Sequence, residues 1–127
     1  MKYIKKILKK LSEDPVTSKT PTIVFARDPK CNLNEFKLDD LSCYGMFTSV
    51  DPSSAIRVFD GSHALQGNLD PKILLEEDSV IKENALKMLS EFTDFPGYIF
   101  NLGHGITPDI NPDKVKVLVE AIRESGT

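Results

Sequence analysis

Hydrophobic positions along this chain alternate between two spacings. In residues 1–12, Ile4, Ile7, Leu8 and Leu11 fall on one helical stripe with Tyr3 at its edge. Asp14-Pro15 and Pro21 end that pattern without a glycine. Thr22-Ile-Val-Phe-Ala26 is then a nearly continuous apolar run, as expected for a strand covered on both faces. Asn34 to Leu41 reads as a short, weak helix, and Cys43 to Phe47 as a second apolar strand containing Gly45. Asp51-Pro52 opens a helix through Ala55, Ile56 and Phe59, which Asp60-Gly61 closes.

The alternation continues. His63-Ala-Leu-Gln-Gly67 is a third strand, leading into Asn68-Leu-Asp-Pro71. A longer helix is predicted from about Asp78 to Phe92, with Val80, Ile81, Ala85, Leu86, Met88 and Leu89 on its apolar face. Pro96-Gly97 breaks the pattern before a fourth strand, Tyr98 to Asn101. The last helix starts near Pro112 and turns Val115, Leu118, Val119 and Ile122 inward. Four strands alternating with about five helices predict an α/β fold whose strands run parallel through right-handed crossovers. Periodicity leaves open whether the sheet is doubly wound or part of a barrel.

Composition narrows the class. The 127 residues suit one modest domain, and 40% hydrophobic with 28% charged residues is ordinary for a globular body. A net charge of −3 argues against a general nucleic-acid binder. No apolar run reaches the roughly 18 residues of a membrane span. Cys31 and Cys43 are expected to be reduced thiols in a cytoplasmic protein. Five of the first ten residues are lysine, a pattern shared by membrane-surface helices and import signals. An amphipathic helix laid on a sheet, lysines in water, explains the same pattern and is preferred.

The segment richest in chemical promise is Tyr98-Ile-Phe-Asn-Leu-Gly-His-Gly105. It places one histidine between two glycines just beyond a strand. The C-terminal ends of strands are where α/β folds hold ligand-facing groups. Gly103 and Gly105 strip the backbone of bulk, so that another group can approach closely.

Ala64-Leu-Gln-Gly-Asn-Leu-Asp-Pro71 and Phe100-Asn-Leu-Gly-His-Gly105 resemble motifs of the uroporphyrinogen decarboxylases, in the right order and at the right separation. The Ile23-Val-Phe-Ala26 strand, the Gly45 strand, and the tail through Pro108, Pro112 and Val115 to Ala121 support the match. The resemblance implies the C-terminal half of a (β/α)8 TIM barrel, with residues 1–127 a single partial domain; a whole barrel needs roughly 250 residues. It further implies removal of carboxyl groups from the four acetate arms of uroporphyrinogen to give coproporphyrinogen in haem biosynthesis, without metal or organic cofactor. The aspartate and arginines that face the tetrapyrrole in that family belong to earlier strands and have no counterpart here.

Among the substrate-contacting residues, the resemblance carries over only His104. Read from the residues alone, His104 is equally a ligand-facing imidazole, suited to a carboxylate or a proton, or a structural one bonded to a carbonyl; the motif favours binding. His63 matches no ligand and reads as a surface or packing residue. Gln66, Asn68 and Asp70 are placed to line the mouth, or to fix the loop by bonding to nearby backbone. Arg27 follows the first strand and suits the carboxylates of the substrate, though a solvated loop arginine is the plainer reading. The chain departs from the family in Arg27-Asp-Pro-Lys30, where a small glycine-containing loop is usual. It departs again in Gly45-Met-Phe-Thr48, where the pattern is Gly-Leu-Asp-Trp.

Half a barrel leaves two unpaired sheet borders and an apolar inner face. Self-association, or pairing with a separate N-terminal half, is therefore expected. The alternative to an enzyme segment is a non-catalytic split or degenerate product that serves only as an interaction module. A phosphate-binding α/β domain ranks below both, because Asn-Leu-Gly-His-Gly is a poor phosphate cradle.

Overall fold

The computed structural model describes residues 1–27 and 32–126. Residues 28–31, Cys31 among them, and Thr127 lie outside the described residues. In chain order the elements are α1 (Lys2–Glu13), β1 (Ile23–Phe25), a 3-10 turn (Leu33–Phe36), β2 (Cys43–Gly45), α2 (Pro52–Phe59), β3 (Ala64–Gln66), a second 3-10 turn (Pro71–Leu75), α3 (Asp78–Glu91), β4 (Tyr98–Ile99) and α4 (Pro112–Glu124). The four strands form one parallel sheet in the order β1-β2-β3-β4. An isolated bridge, Leu69 to Leu102, carries the β3–β4 pairing past the strand ends.

The elements begin and end where the local chemistry directs. The Asp14 carboxylate accepts from the backbone of Val16 at 2.8 Å and Thr17 at 3.2 Å, drawing the chain out of α1. Asp51 caps α2 by accepting from the Ser54 N–H at 2.9 Å, and Pro52 occupies the first turn. Asp60 closes α2 with φ 45°, a left-handed conformation that Asp tolerates. Asn111 caps α4 through the Asp113 N–H at 2.9 Å.

Register sorts the strand residues onto two faces. Val24, Tyr44, Leu65 and Tyr98 stand in one row across the sheet. This row faces the helices: Tyr44 and Leu65 are fully buried with Leu8, Phe36, Ala55, Phe59 and Phe92 in one core cluster. A second cluster, of Leu69, Leu74, Ile81, Ala85, Ile110, Leu118 and Ala121, joins α3, α4 and the second 3-10 turn. Met88 packs against both.

The other face carries Ile23, Phe25, Cys43, Gly45, Ala64, Gln66 and Ile99. Ile23, Phe25 and Ile99 are each about half exposed, at 53%, 50% and 45%. Apolar residues on both sides of β1 belong to a sheet covered twice, yet the helices cover only one side here.

Several expected elements differ in extent. The strands are two to three residues long, shorter than the apolar runs that contain them. The helix expected over Asn34 to Leu41 is a single 3-10 turn. The Asn32 side chain caps that turn, and Leu38 N–H bonds to Phe36 O at 2.9 Å instead of continuing the helix. The loop after β3 contains the 3-10 turn at Pro71–Leu75, which Asp70 caps. Leu86 and Val119, expected on buried faces, are 47% and 38% exposed. The seam between α3 and α4 is a narrow stripe of Ile81, Ala85, Leu118 and Ala121, and it leaves residues one step around the helix in the open.

Candidate functional site at the carboxyl rim of the sheet

The loops that leave β2, β3 and β4 meet at the carboxyl ends of the strands. A cleft of about 260 Å³ opens there, lined by Phe25, Gly45, Gln66, Asn101, His104 and Gly105 among others. Two of the expected site residues, His104 and Gln66, are thus brought together. Arg27, exposed just beyond β1, does not line this cleft.

His104 is partly buried, and its ring centroid lies 5.7 Å from that of Phe47 at a 32° tilt. Its Nδ1 is 2.9 Å from Gly105 O. A carbonyl only accepts, so Nδ1 carries the hydrogen. The neutral ring then presents Nε2 as an acceptor, and the protonated ring presents it as a charged donor. His104 therefore has a carbonyl partner, as a structural histidine would, and still offers its second nitrogen to a ligand.

Gly103 sets where that imidazole sits. A Cβ on Gly103 would lie 2.6 Å from Thr48 N and 2.7 Å from Thr48 Cα, so only glycine allows the β4 loop to rest on the β2 loop. Its N–H donates to Leu69 O at 2.8 Å, which holds the same loop to the β3 side. Gly105, by contrast, has nothing within 4 Å of its Cβ position; no group approaches it in the way the sequence suggested.

Gly67, at φ +117°, leaves a Cβ position 2.8 Å from Met46 O, so the third strand also ends on a glycine requirement. The Tyr98 hydroxyl donates to Gly67 O at 2.5 Å. Burial, with the Glu91 charge adding to it, pushes the Tyr98 phenol above its usual range.

Asn68 is buried, and its side-chain amide does not line the cleft. Nδ2 donates to Phe47 O at 2.9 Å and to Val50 O at 2.7 Å. Asp70 caps the second 3-10 turn by accepting from the Lys72 N–H at 2.9 Å. Both side chains serve loop geometry. His63 is a packing residue: its ring meets Phe59 edge-on, and its nitrogens lie 2.8 Å from Ser62 Oγ and Leu38 O. Cys43 is a free, buried thiol whose pKa is raised by that burial. Among the described residues no group of three or more His, Cys, Asp or Glu is placed to hold a metal ion. No helix among them is long and apolar enough to cross a membrane.

Phe47 and Thr48, at the Gly45-Met-Phe-Thr48 departure from the family pattern, lie beside this rim as their place past a strand end suggests. Asn101 and Leu102 also line the cleft and were not singled out.

The model of the family described as uroporphyrinogen decarboxylase (URO-D) matches residues 1–125. The chain belongs to the uroporphyrinogen decarboxylase family. Curated relatives bearing that name include one from Alcanivorax borkumensis, 34% identical over 124 residues, 98% of this chain and 35% of the relative. Another, from Chloroherpeton thalassium, is 40% identical over 123 residues, 92% of this chain and 35% of the relative. A third, from Pelodictyon phaeoclathratiforme, is 41% identical over 112 residues, 84% of this chain and 31% of the relative.

The chain thus spans about a third of the length of the curated relatives it matches, and it corresponds to their C-terminal part. The family fold is a TIM barrel, of which this chain covers part. In such a barrel the sheet face opposite the helices is the interior. Ile23, Phe25 and Ile99 stand on that face, and β1 and β4 are the outer strands of the sheet among the described residues.

Proposed function

We propose that this chain is the C-terminal half of a uroporphyrinogen decarboxylase barrel and supplies one wall of its tetrapyrrole site. In this reading the complete enzyme removes the carboxyl groups of the four acetate arms of uroporphyrinogen, leaving coproporphyrinogen, in the cytoplasm. The observation that carries the reading is His104: Nδ1 is satisfied by Gly105 O, and Nε2 is the one group the ring can offer a ligand in the rim cleft. Protonated, Nε2 donates a charge-assisted hydrogen bond to a substrate carboxylate. The same protonated ring gives the substrate carbon the proton that replaces the departing CO2, leaving the imidazole neutral. Gln66 and, just beyond β1, Arg27 are the remaining candidates for substrate contact, whereas the Asn68 amide is spent on the Phe47 and Val50 carbonyls.

The open borders and the exposed Ile23, Phe25 and Ile99 support a partner made of the same material: an N-terminal half with four more parallel strands. The test combines this chain with the N-terminal segment of a relative and follows coproporphyrinogen formation. Turnover is expected only with both halves, and His104→Ala is expected to lower it about tenfold or more, the scale of a lost charged hydrogen bond. Unchanged turnover in His104→Ala would reject the assigned role.

A second reading rests on Phe47 and Thr48. They stand where the resemblance places an aspartate and a tryptophan, and they leave the rim apolar beside His104. On that reading the chain associates with the N-terminal half but catalyses nothing. Association without product, with both halves folded, is the outcome that distinguishes it.

A further inference from the structure

We propose that Asn68 is a positioning residue for His104, acting through the β2 loop. This deepens the reading of His104 as a substrate-facing group and rests on it. Both partners of the Asn68 amide are carbonyl oxygens, Phe47 O at 2.9 Å and Val50 O at 2.7 Å, so both of its hydrogens are committed to the chain segment 47–50. Phe47 O also accepts from the Val50 N–H at 2.9 Å, so the amide reinforces that turn, and withdrawing its other hydrogen from the buried Val50 O is costly.

The clamped segment is the seat of the histidine. Phe47 faces the His104 ring at 5.7 Å, and Thr48 lies directly beneath Gly103. The position of the imidazole over the cleft is thus set by a chain of contacts: Asn68 to the Phe47 and Val50 carbonyls, Phe47 and Thr48 to Gly103 and His104. Asn68 touches neither the cleft nor the histidine. It joins the ends of β2 and β3 so that the loop after β4 has a floor to rest on.

The chain has two histidines, which makes the test direct. Imidazole proton signals are recorded by NMR for the full chain and for Asn68→Ala. His104 signals are expected to shift and to lose their cross-relaxation with the Phe47 ring, while those of His63, held by Ser62 and Leu38, stay in place. Unmoved His104 signals overturn the proposal, and so does equal movement of His63, which marks general loosening. If Asn68→Ala does not fold, Asn68→Ser keeps one donor. It is expected to give a smaller His104 shift, and no shift again overturns the idea.

Coproporphyrin titration of this chain combined with the N-terminal segment of a relative provides the second arm. Asn68→Ala and His104→Ala are each expected to weaken binding about tenfold, and the double variant no more than His104→Ala alone. Additive losses overturn the proposal. If the combined halves bind no coproporphyrin, the tetrapyrrole reading fails, and the NMR arm still decides whether Asn68 positions His104.

Discussion

Gly103 and Thr48 are in backbone contact, closer than any side chain on residue 103 would permit. The loop after the fourth strand therefore rests on the loop after the second, across the end of the third. Gly103→Ala is expected to destabilise the chain by about 1–3 kcal/mol, the usual cost of forcing bulk into a packed site. It should also move His104 off Phe47. Thermal melting checks the first effect, and the ring-proton signals of His104 check the second. A variant that melts with the parent and keeps its histidine signals would show that the rim yields without cost.

The two faces of the sheet should answer mutation in opposite ways. Leu65 is fully buried under the helices, and Leu65→Ala is expected to cost about 2–5 kcal/mol in the chain alone. Phe25 points to the open face and is half exposed. Phe25→Ser should leave the melting temperature of the isolated chain nearly unchanged and reduce self-association measured by light scattering. In the presence of an N-terminal half the same change should weaken association, because Phe25 then belongs to an interior. Equal destabilisation by both substitutions in the isolated chain would contradict the assignment of faces.

Alkaline pH should destabilise the fold in two stages. Burial raises the Cys43 thiol, and burial with the Glu91 charge raises the Tyr98 phenol. For each group the folded state binds its proton more tightly than the unfolded state does. The contribution to stability is complete below the unfolded pKa and is lost as pH climbs toward the folded one. Stability is therefore expected to fall above the ordinary thiol value of 9.0 and further above the ordinary phenol value of 10.0. Tyr98→Phe should flatten the upper stage and Cys43→Ala the lower one. Denaturant titrations at stepped pH check both, and an unchanged slope in Tyr98→Phe would exclude the phenol.

Much of the architecture was legible because its signals are local. Pro52 and Asp51, Asp60-Gly61, Pro96-Gly97 and Pro112 mark boundaries that the chain obeys. The parallel sheet followed from continuous apolar runs such as Ile23-Val-Phe25. Strand lengths were less legible, since an apolar residue past a strand end, such as Phe47, looks the same as one within it. Leu86 and Val119 were misplaced for a different reason. A helical stripe shows which residues are apolar, but the width of the seam depends on the helix opposite. For the site, the histidine and its glycines were visible as a motif. The Asn68 clamp was visible only as a loop residue, because its partners are backbone atoms 18 and 21 positions away.

The buried side chains divide into a trunk around Tyr44 and Leu65 and a lobe around Ile81 and Leu118, bridged by Met88. Such a seam lets one portion breathe while the other stays shut. The lobe takes in Phe100 and Leu102, just before the histidine, so a momentary parting of α3 from α4 would loosen the packing behind that loop without melting the sheet. A bulky, flat guest entering the mouth of a completed barrel would find its give there, on the side away from the lysine-rich first helix.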